Sequence, residues 1–227
     1  MPFVDTRSLR IAYDDHQPHS EKAVILLHGW PDSPRTWRGV LPGLVAAGFR
    51  VIVPTLRGFG ATTFLHAHTP RSGQLAALGR DLLDLIEALH LKKPALVGHD
   101  WGARAAANAY GLKPDVASHL AFLSVGYGTN HPSQPLGMEQ ARRYWYHWYM
   151  ATTRGQAEVA RNPRAFAQIM WDTWSPPGWY AAEEFAQTAK AFDNPDWLAV
   201  TLHSYQHRWG HAPGDSSFAD DDAMLQD

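Results

Sequence analysis

The 227-residue sequence predicts an α/β fold with a mostly parallel sheet. Short apolar runs of strand length end at glycine or proline, and stretches with helical periodicity separate them. That alternation is typical of βαβ units, in which the strands are parallel and the crossovers right-handed. Hydrophobic residues make up 45% of the chain and charged residues 19%, so a buried core can form without disulfides or metals.

Strands and helices are predicted in alternation through the first 127 residues. Residues 3–13 are typical of a hairpin or of two short edge strands. An amphipathic helix is predicted at 74–90, where Leu and Ile recur every three or four residues, and a helix of small residues follows from Trp101. Another predicted helix ends at Gly48. The remaining strands are predicted at 22–30, 49–60, 93–100 and 119–127.

The strand pattern stops after Gly128. Helical stretches rich in aromatic residues follow, and most of the 10 tryptophans lie beyond residue 140. We therefore predict an α/β core at 1–128, an all-helical cap at 129–212 and a C-terminal segment at 213–227. The last segment is polar and acidic, which is typical of a solvated tail or of a helix that starts a return to the core.

Composition and charge exclude several classes of function. The net charge is −2 and no basic face stands out, so nucleic acid is not an expected partner. The chain contains no cysteine, which excludes a disulfide framework, a thiol nucleophile and thiolate metal sites. Neither a signal peptide nor a membrane-spanning run is evident, so we expect a cytoplasmic protein with no membrane partner. Whether it forms a homodimer is left open.

A carboxylate lies between glycines where the strand predicted at 93–100 ends. The segment GHDWG (98–102) follows a strand and precedes a helix, which is the setting of a nucleophile elbow. An aspartate in that position attacks carbon directly and forms an alkyl-enzyme ester, whereas a serine would favour acyl transfer. The alternative is that Asp100 only caps the helix that begins at Trp101.

A second motif supports the catalytic interpretation. The segment HGWPDSPRTW (28–37) begins where an earlier predicted strand ends. Because ligands bind at the carboxyl ends of the strands in open α/β sheets, we expect the backbone N–H of Trp30 beside Asp100. Together with the N–H of Trp101, it would form an oxyanion hole.

With these motifs the sequence resembles the α/β-hydrolase superfamily, and within it the branch of epoxide hydrolases and haloalkane dehalogenases. The resemblance implies an α/β-hydrolase fold with an inserted helical cap and no metal or organic cofactor. It also implies a small apolar epoxide or halogenated substrate, opened through a covalent ester on Asp100. The matching segments are HGWPDS, LRGFGAT (56–62), GHDWGARAA (98–106) and HSYQHRWGHAPGD near the end of the cap.

The leaving group separates the two chemistries. An epoxide oxygen needs a proton donor, and the epoxide hydrolases that the chain resembles use two cap tyrosines, whereas dehalogenases often hold the halide with indole N–H groups. Tyr205 matches the second cap tyrosine, and Tyr146 is our choice for the first. We therefore favour epoxide hydrolysis to a diol over haloalkane or haloacid dehalogenation, although such aromatic residues also suit packing between cap and core. Four more residues are predicted to line the substrate pocket: His28, His99, Trp148 and Tyr149, the last being the alternative first tyrosine.

The residues that would regenerate Asp100 are not evident. Hydrolysis of the ester needs a water activated by a histidine that a carboxylate orients, and the resemblance implies that both follow the cap. We expect the last core strands to be missing from this chain, which would make it a fragment or a truncated, non-catalytic ligand-binding protein. His203, His207 and His211 lie at positions i, i+4 and i+8 of a predicted cap helix, which Gly210 is expected to end before His211. We predict a packing or solvent-facing stripe, not a zinc site or the base.

Overall fold

The computed structural model describes residues 1–125 and 135–226. Its centre is a single sheet, and the predicted α/β class with a mostly parallel sheet is confirmed. The core–cap boundary predicted at 128/129 and the last residues of the strand predicted at 119–127 lie outside the described residues. The division of the chain into core, cap and C-terminal segment stays a prediction.

The strands of the described sheet are β1 (Phe3–Asp5), β2 (Leu9–His16), β3 (Ala23–Leu27), β4 (Arg50–Pro54), β5 (Thr63–Phe64), β6 (Ala95–His99) and β7 (His119–Leu123). Their spatial order is β1-β2-β4-β3-β6-β7, and β5 pairs with β2 outside this path. The neighbours β4, β3, β6 and β7 are parallel to one another, whereas β1, β2 and β5 form antiparallel pairs. Because β3 and β6 are parallel neighbours, their carboxyl ends meet at the same edge of the sheet.

Apolar residues of the central strands are fully buried. Ile25, Ile52 and Leu96 are 0% exposed, as expected for parallel strands that are covered on both faces. Pro54 is the last residue of β4, so this strand is shorter than the one predicted at 49–60. By contrast, β7 lies at the edge of the described sheet, and Phe122 on it is partly open to solvent.

Two long helices cover the sheet next to β6. The amphipathic helix predicted at 74–90 is α2 (Leu75–Ala88), and the small-residue helix is α3 (Trp101–Leu112). Both predictions are confirmed. Their buried side chains face the sheet and each other: Leu78, Leu82, Leu85 and Ile86 on α2, and Ala103, Ala105, Ala106 and Ala109 on α3. The alanines leave room for α3 to pack closely against β3 and β6.

The helix predicted to end at Gly48 is interrupted. A 3₁₀ turn runs from Pro34 to Gly39, and only Leu41–Ala46 (α1) is α-helical. Pro42 explains the break, because proline fits the first turn of a helix but not its interior. The predicted end is correct, since Gly48 follows α1 with a φ of +84°.

Helices make up the rest of the described chain. The segment SPPGW (175–179) interrupts the helical pattern, since one helix ends at Trp174 and the next begins at Ala182. No helix in the described ranges is long and apolar enough to cross a membrane. The helices are α4 (Met138–Arg143), α5 (Trp145–Ala151), α6 (Thr153–Arg161), α7 (Pro163–Trp174), α8 (Ala182–Thr188), α9 (Trp197–His207) and α10 (Ala219–Gln226).

The acidic C-terminal segment packs on the core and ends in a helix. Asp221 on α10 forms an ion pair with Arg80 on α2. The neighbouring Asp222 accepts a hydrogen bond of 2.6 Å from Nε2 of Gln74. Of the two forms expected for this segment, the structure contains the helix.

Candidate active site

Asp100 occupies a strained turn between β6 and α3. Its backbone has φ +51° and ψ −114°, in the left-handed half of conformational space that non-glycine residues rarely adopt. Two backbone hydrogen bonds stabilise the turn: Asp100 N–H donates to the carbonyl of Leu123 at 3.1 Å, and Arg104 N–H donates to the carbonyl of Asp100 at 3.0 Å. Strain of this kind persists only where the surroundings enforce it, and it is concentrated at functional sites.

The glycines on either side of Asp100 are required by close packing. A Cβ atom added to Gly98 would overlap the backbone of Gly102. A Cβ added to Gly102 would overlap the carbonyl of Leu27 at the end of β3. The start of α3 therefore lies directly against two strand ends, which fixes the position of the Asp100 side chain.

The loop after β3 donates a hydrogen bond to Asp100. The N–H of Trp30 lies 2.8 Å from Oδ1 of Asp100, which is the contact expected from the two motifs. Trp101 is the first residue of α3, so its N–H has no partner within the helix. The positive end of the helix dipole also favours negative charge at this position.

His28 lies behind this loop and is fully buried. Its Nε2 accepts the N–H of Leu56 at 3.1 Å, so its Nδ1 carries the proton and donates to the carbonyl of Gly29 at 2.9 Å. Burial lowers the pKa of His28 to about 4, which keeps the ring neutral. This arrangement supports a role in positioning the Trp30 N–H, and the predicted contact with substrate stays a prediction.

Two tyrosines from the helical part of the chain pack on the ring of Trp30. The Tyr205 ring on α9 meets it edge-on at 4.9 Å between centroids, and the Tyr146 ring on α5 stacks on it at 5.8 Å. The two tyrosine rings are 5.4 Å apart. Burial, followed by nearby negative charge that includes Asp100, raises the pKa of both hydroxyls, so each remains a proton donor.

Tyr149 and Trp148 lie farther from this cluster. Tyr149 packs against Trp145 and Phe166, with ring centroids 6.0 and 6.1 Å apart. The indole of Trp148 donates to the carbonyl of Ala141 at 2.9 Å and packs on Trp209. Tyr146 is therefore the better placed of the two candidates for the first tyrosine.

The fold and these motifs agree with a known protein family. Residues 22–176 match the family model described as the alpha/beta hydrolase fold, which is more than half of the chain. The chain belongs to the α/β-hydrolase family. The fold predicted from the resemblance is therefore confirmed.

Proteins similar to this α/β hydrolase are named as epoxide hydrolases. A structure called a "putative epoxide hydrolase" from Klebsiella pneumoniae subsp. pneumoniae MGH 78578 is 37% identical, with a TM-score of 0.92, and the match covers 99% of this chain and 75% of that one. An epoxide hydrolase of Caballeronia sordidicola is 40% identical over 114 residues, which cover 49% of this chain and 33% of the relative. Epoxide hydrolase B of Mycobacterium tuberculosis is 28% identical over 204 residues, covering 82% of this chain and 57% of the relative. The matches thus span between a third and just over half of these two curated relatives.

Two residues beside the site escaped the sequence reasoning. His147 follows Tyr146, and its ring lies 4.2 Å from Tyr146 and 4.6 Å from Tyr205 between centroids. Its Nδ1 accepts the indole N–H of Trp209 at 3.0 Å, and burial lowers its pKa to about 2. Asp32, in the HGWPDS segment, has its pKa raised to about 7 by burial and by the nearby Asp100.

The remaining histidines do not build a second site. His203 accepts the N–H of Gly73 at 3.0 Å and packs in parallel with His207, at 5.5 Å between rings, so its role is to hold the loop before α2. No group of three or more His, Asp or Glu side chains converges as metal ligands in residues 1–125 and 135–226. His99 precedes Asp100, and its Nδ1 is buried with no hydrogen bond to the described residues. The absence of a metal or cofactor stays a prediction.

Proposed function

We propose that this α/β hydrolase opens an epoxide through nucleophilic attack by Asp100 and converts it to a diol. The observation that carries the proposal is the position of the Asp100 carboxylate. Trp30 N–H binds one of its oxygens at 2.8 Å, and the buried Tyr205 and partly buried Tyr146 pack on the ring of the same tryptophan. The names of the similar proteins support the same reaction.

In the first step, a carboxylate oxygen of Asp100 attacks a carbon of the epoxide ring. A carbon–oxygen bond of the ring breaks as the ester bond forms, and the ring oxygen takes a proton from Tyr146 or Tyr205. The raised pKa values keep both hydroxyls protonated until the alkoxide develops. A positioned acid of this kind contributes roughly 10²- to 10⁴-fold to the rate.

In the second step, water attacks the carbonyl carbon of the ester. Negative charge then develops on an Asp100 oxygen, where the N–H of Trp30 stabilises it as one half of an oxyanion hole. The bond from the carbonyl carbon to the alcohol oxygen breaks, the diol leaves and the Asp100 carboxylate is restored. Of the two protons of the water, one goes to the leaving oxygen and the other returns to the tyrosine. His28 and His147 are poor bases for that water, because their pKa values are lowered to about 4 and about 2. We assign the base to no residue of the described chain.

Dehalogenation is the weaker alternative. A halide site built on indoles needs free N–H groups. The indole of Trp30 donates to Oγ1 of Thr201 at 3.1 Å, which leaves, of Trp30 and Trp101, only the indole of Trp101, whose buried Nε1 has no hydrogen bond to the described residues. The O–H groups of two protonated tyrosines suit an epoxide oxygen better. Halide release from a haloalkane, without diol formation from an epoxide, would favour the alternative.

The test is covalent trapping on Asp100. The chain is incubated with styrene oxide, digested, and the peptides are mapped by mass spectrometry. We expect one adduct, on the Asp100 peptide, that is absent in Asp100→Asn and forms at least about 10-fold more slowly in Tyr146→Phe and Tyr205→Phe. Absence of an adduct on that peptide, with circular dichroism showing a folded chain, would contradict the proposal and favour a non-catalytic binding protein.

A further inference from the structure

Two arginines next to the candidate site have no carboxylate partner among the described residues. Arg104 lies one helical turn after Asp100 on α3 and is only 6% exposed, yet its Nε has no hydrogen bond to the described residues. Arg208 follows α9, three residues after Tyr205. Its Nε is also buried with no hydrogen bond inside the described ranges, and its Nη2 donates to Oγ of Ser204 at 3.0 Å. Several other arginines in residues 1–125 and 135–226 form ion pairs with Asp or Glu, whereas Arg104 and Arg208 form none there.

Arg208 lies against two aromatic residues of the candidate site, and Arg104 is four residues after Asp100, the spacing that puts two side chains on one helix face. The guanidinium carbon of Arg208 lies 4.9 Å from the ring centroid of Tyr205 and 5.8 Å from that of Trp101. Burial and then the proximity of Arg208 lower the pKa of Arg104 to about 10, while Asp100 and Tyr205 act in the opposite direction. Arg208 thus packs on Tyr205, and Arg104, one helical turn after Asp100, lies within electrostatic reach of Arg208.

Asp100 alone does not balance this charge. One carboxylate stands against two guanidiniums, and one of its oxygens is already bound by the N–H of Trp30. In the proposed reaction the ester on Asp100 is neutral, so both guanidiniums would then lack a negative partner. A buried charge without a partner is costly, and an anion that enters with the substrate would remove that cost.

We propose that Arg104 and Arg208 form an anion subsite that binds a carboxylate on the substrate, so that the preferred substrates are epoxy acids. The inference rests on the proposed function and names its substrate class. The planar guanidinium suits a carboxylate, which it binds through two parallel hydrogen bonds. A phosphate dianion fits less well, because Asp100 would repel its second charge. The chemistry itself is unchanged: Asp100 bonds to a ring carbon, the ring carbon–oxygen bond breaks, and a tyrosine proton moves to that oxygen.

The first experiment measures binding without reaction. Glycerate, the diol acid that would be the product of the smallest epoxy acid, is titrated into the chain by calorimetry, with neutral glyceramide as its matched control. Hydrogen bonds between charged groups predict that glycerate binds about 10-fold or more tightly. Arg104→Gln and Arg208→Gln should each abolish the preference. Arg164→Gln, which removes an exposed arginine paired with Asp193, should leave it unchanged.

The second experiment measures alkylation of Asp100 by glycidate and by neutral glycidamide. We expect the ratio of the two adduct rates to fall about 10-fold in either arginine variant, whereas Arg164→Gln keeps the wild-type ratio. Equal ratios in the wild type and in all three variants would overturn the anion subsite but would leave the proposed attack by Asp100 unaffected. A different outcome is that glycerate binding depends on the arginines but none of glycidate, glycidamide and styrene oxide labels Asp100. The subsite then stands as an anion site and the proposed function fails. Because the two arginines lie on different helices, a folding defect in one variant leaves the other as the test.

Discussion

Two buried arginines of this molecule have opposite surroundings. Arg57, 2% exposed, donates to both carboxylate oxygens of Asp81 at 2.6 Å and to the carbonyl of Ser72 at 2.7 Å. Arg104 is 6% exposed, and its Nε has no partner in the described residues. The first guanidinium is neutralised within the fold, whereas the second is placed beside another cation, Arg208.

The difference separates a structural charge from one available to a ligand. Arg57 ties the loop after β4 to α2 and to the segment before it, so its partners are all part of the protein. Around Asp100, by contrast, Arg104 and Arg208 have no carboxylate partner in the part of the chain that the structure describes, and burial together with the nearby Asp100 raises the pKa of Asp32. Groups whose pKa values are perturbed in this way are candidates for functional sites.

The largest change in the free energy of unfolding is expected when the ion pair between Arg57 and Asp81 is broken. Asp81→Asn leaves Arg57 buried with no counter-ion, and removing one partner of a buried pair costs about 3–5 kcal/mol. Urea unfolding followed by tryptophan fluorescence measures the loss in the free energy of unfolding. Asp84→Asn, on the same helix and paired with the exposed Arg7, is the control and should change it little. A loss below about 1 kcal/mol in Asp81→Asn would remove the contrast between the two arginines.

The second effect is a pH dependence that comes from Asp32. Its pKa is raised from 3.8 to about 7 in the folded chain, so the protonated form is favoured by folding. Its contribution to stability is therefore fully present below pH 4 and is lost as the pH rises through 7. Since one pKa unit corresponds to about 1.4 kcal/mol, we expect the difference in unfolding free energy between wild type and Asp32→Asn to change by roughly 2–4 kcal/mol between pH 4 and pH 8.

Unfolding at both pH values in wild type and variant isolates this effect, because the other titrating groups cancel in the comparison. Asp172→Asn, at an exposed carboxylate in α7, is the matched control. Parallel pH profiles for wild type and Asp32→Asn would mean that Asp32 is ionised in the folded chain. The site beside Asp100 would then carry one more negative charge, and the arginines would be closer to balance.

The part of the site that depends on the backbone was predictable from the sequence. Glycines at 98 and 102 mark a close approach of helix and strand, and parallel strands bring the ends of β3 and β6 together. The contact between Trp30 and Asp100 follows from these two facts, although 70 residues separate them. The helix predicted before Gly48 is longer than the observed α1, because the apolar spacing favours a continuous helix although Pro42 allows one to begin only just before it.

The side chains that come from different elements were not predictable in this way. The position of Arg208 relative to Arg104 depends on how the end of α9 meets the start of α3, where the rings of Tyr205 and Trp101 are 5.9 Å apart, and no periodicity within one segment records it. Two local signals were present. Arg104 is four residues after Asp100, the spacing that puts two side chains on one helix face, and Asp32 lies inside the HGWPDS segment.

The smallest effect is expected where the unpaired charge is removed. Arg104→Met replaces a buried cation with an apolar side chain of similar length, so it loses no ion pair and relieves repulsion from Arg208. We expect the free energy of unfolding to stay constant or to rise by about 1 kcal/mol, while the preference for glycerate over glyceramide disappears. Urea unfolding and calorimetry on the same protein measure the two properties together. A loss of several kcal/mol, like that expected for Asp81→Asn, would mean that Arg104 is a structural charge after all. If Arg104→Met keeps its stability and loses the preference for glycerate, the two arginines differ in function, since only Arg57 would then be required by the fold.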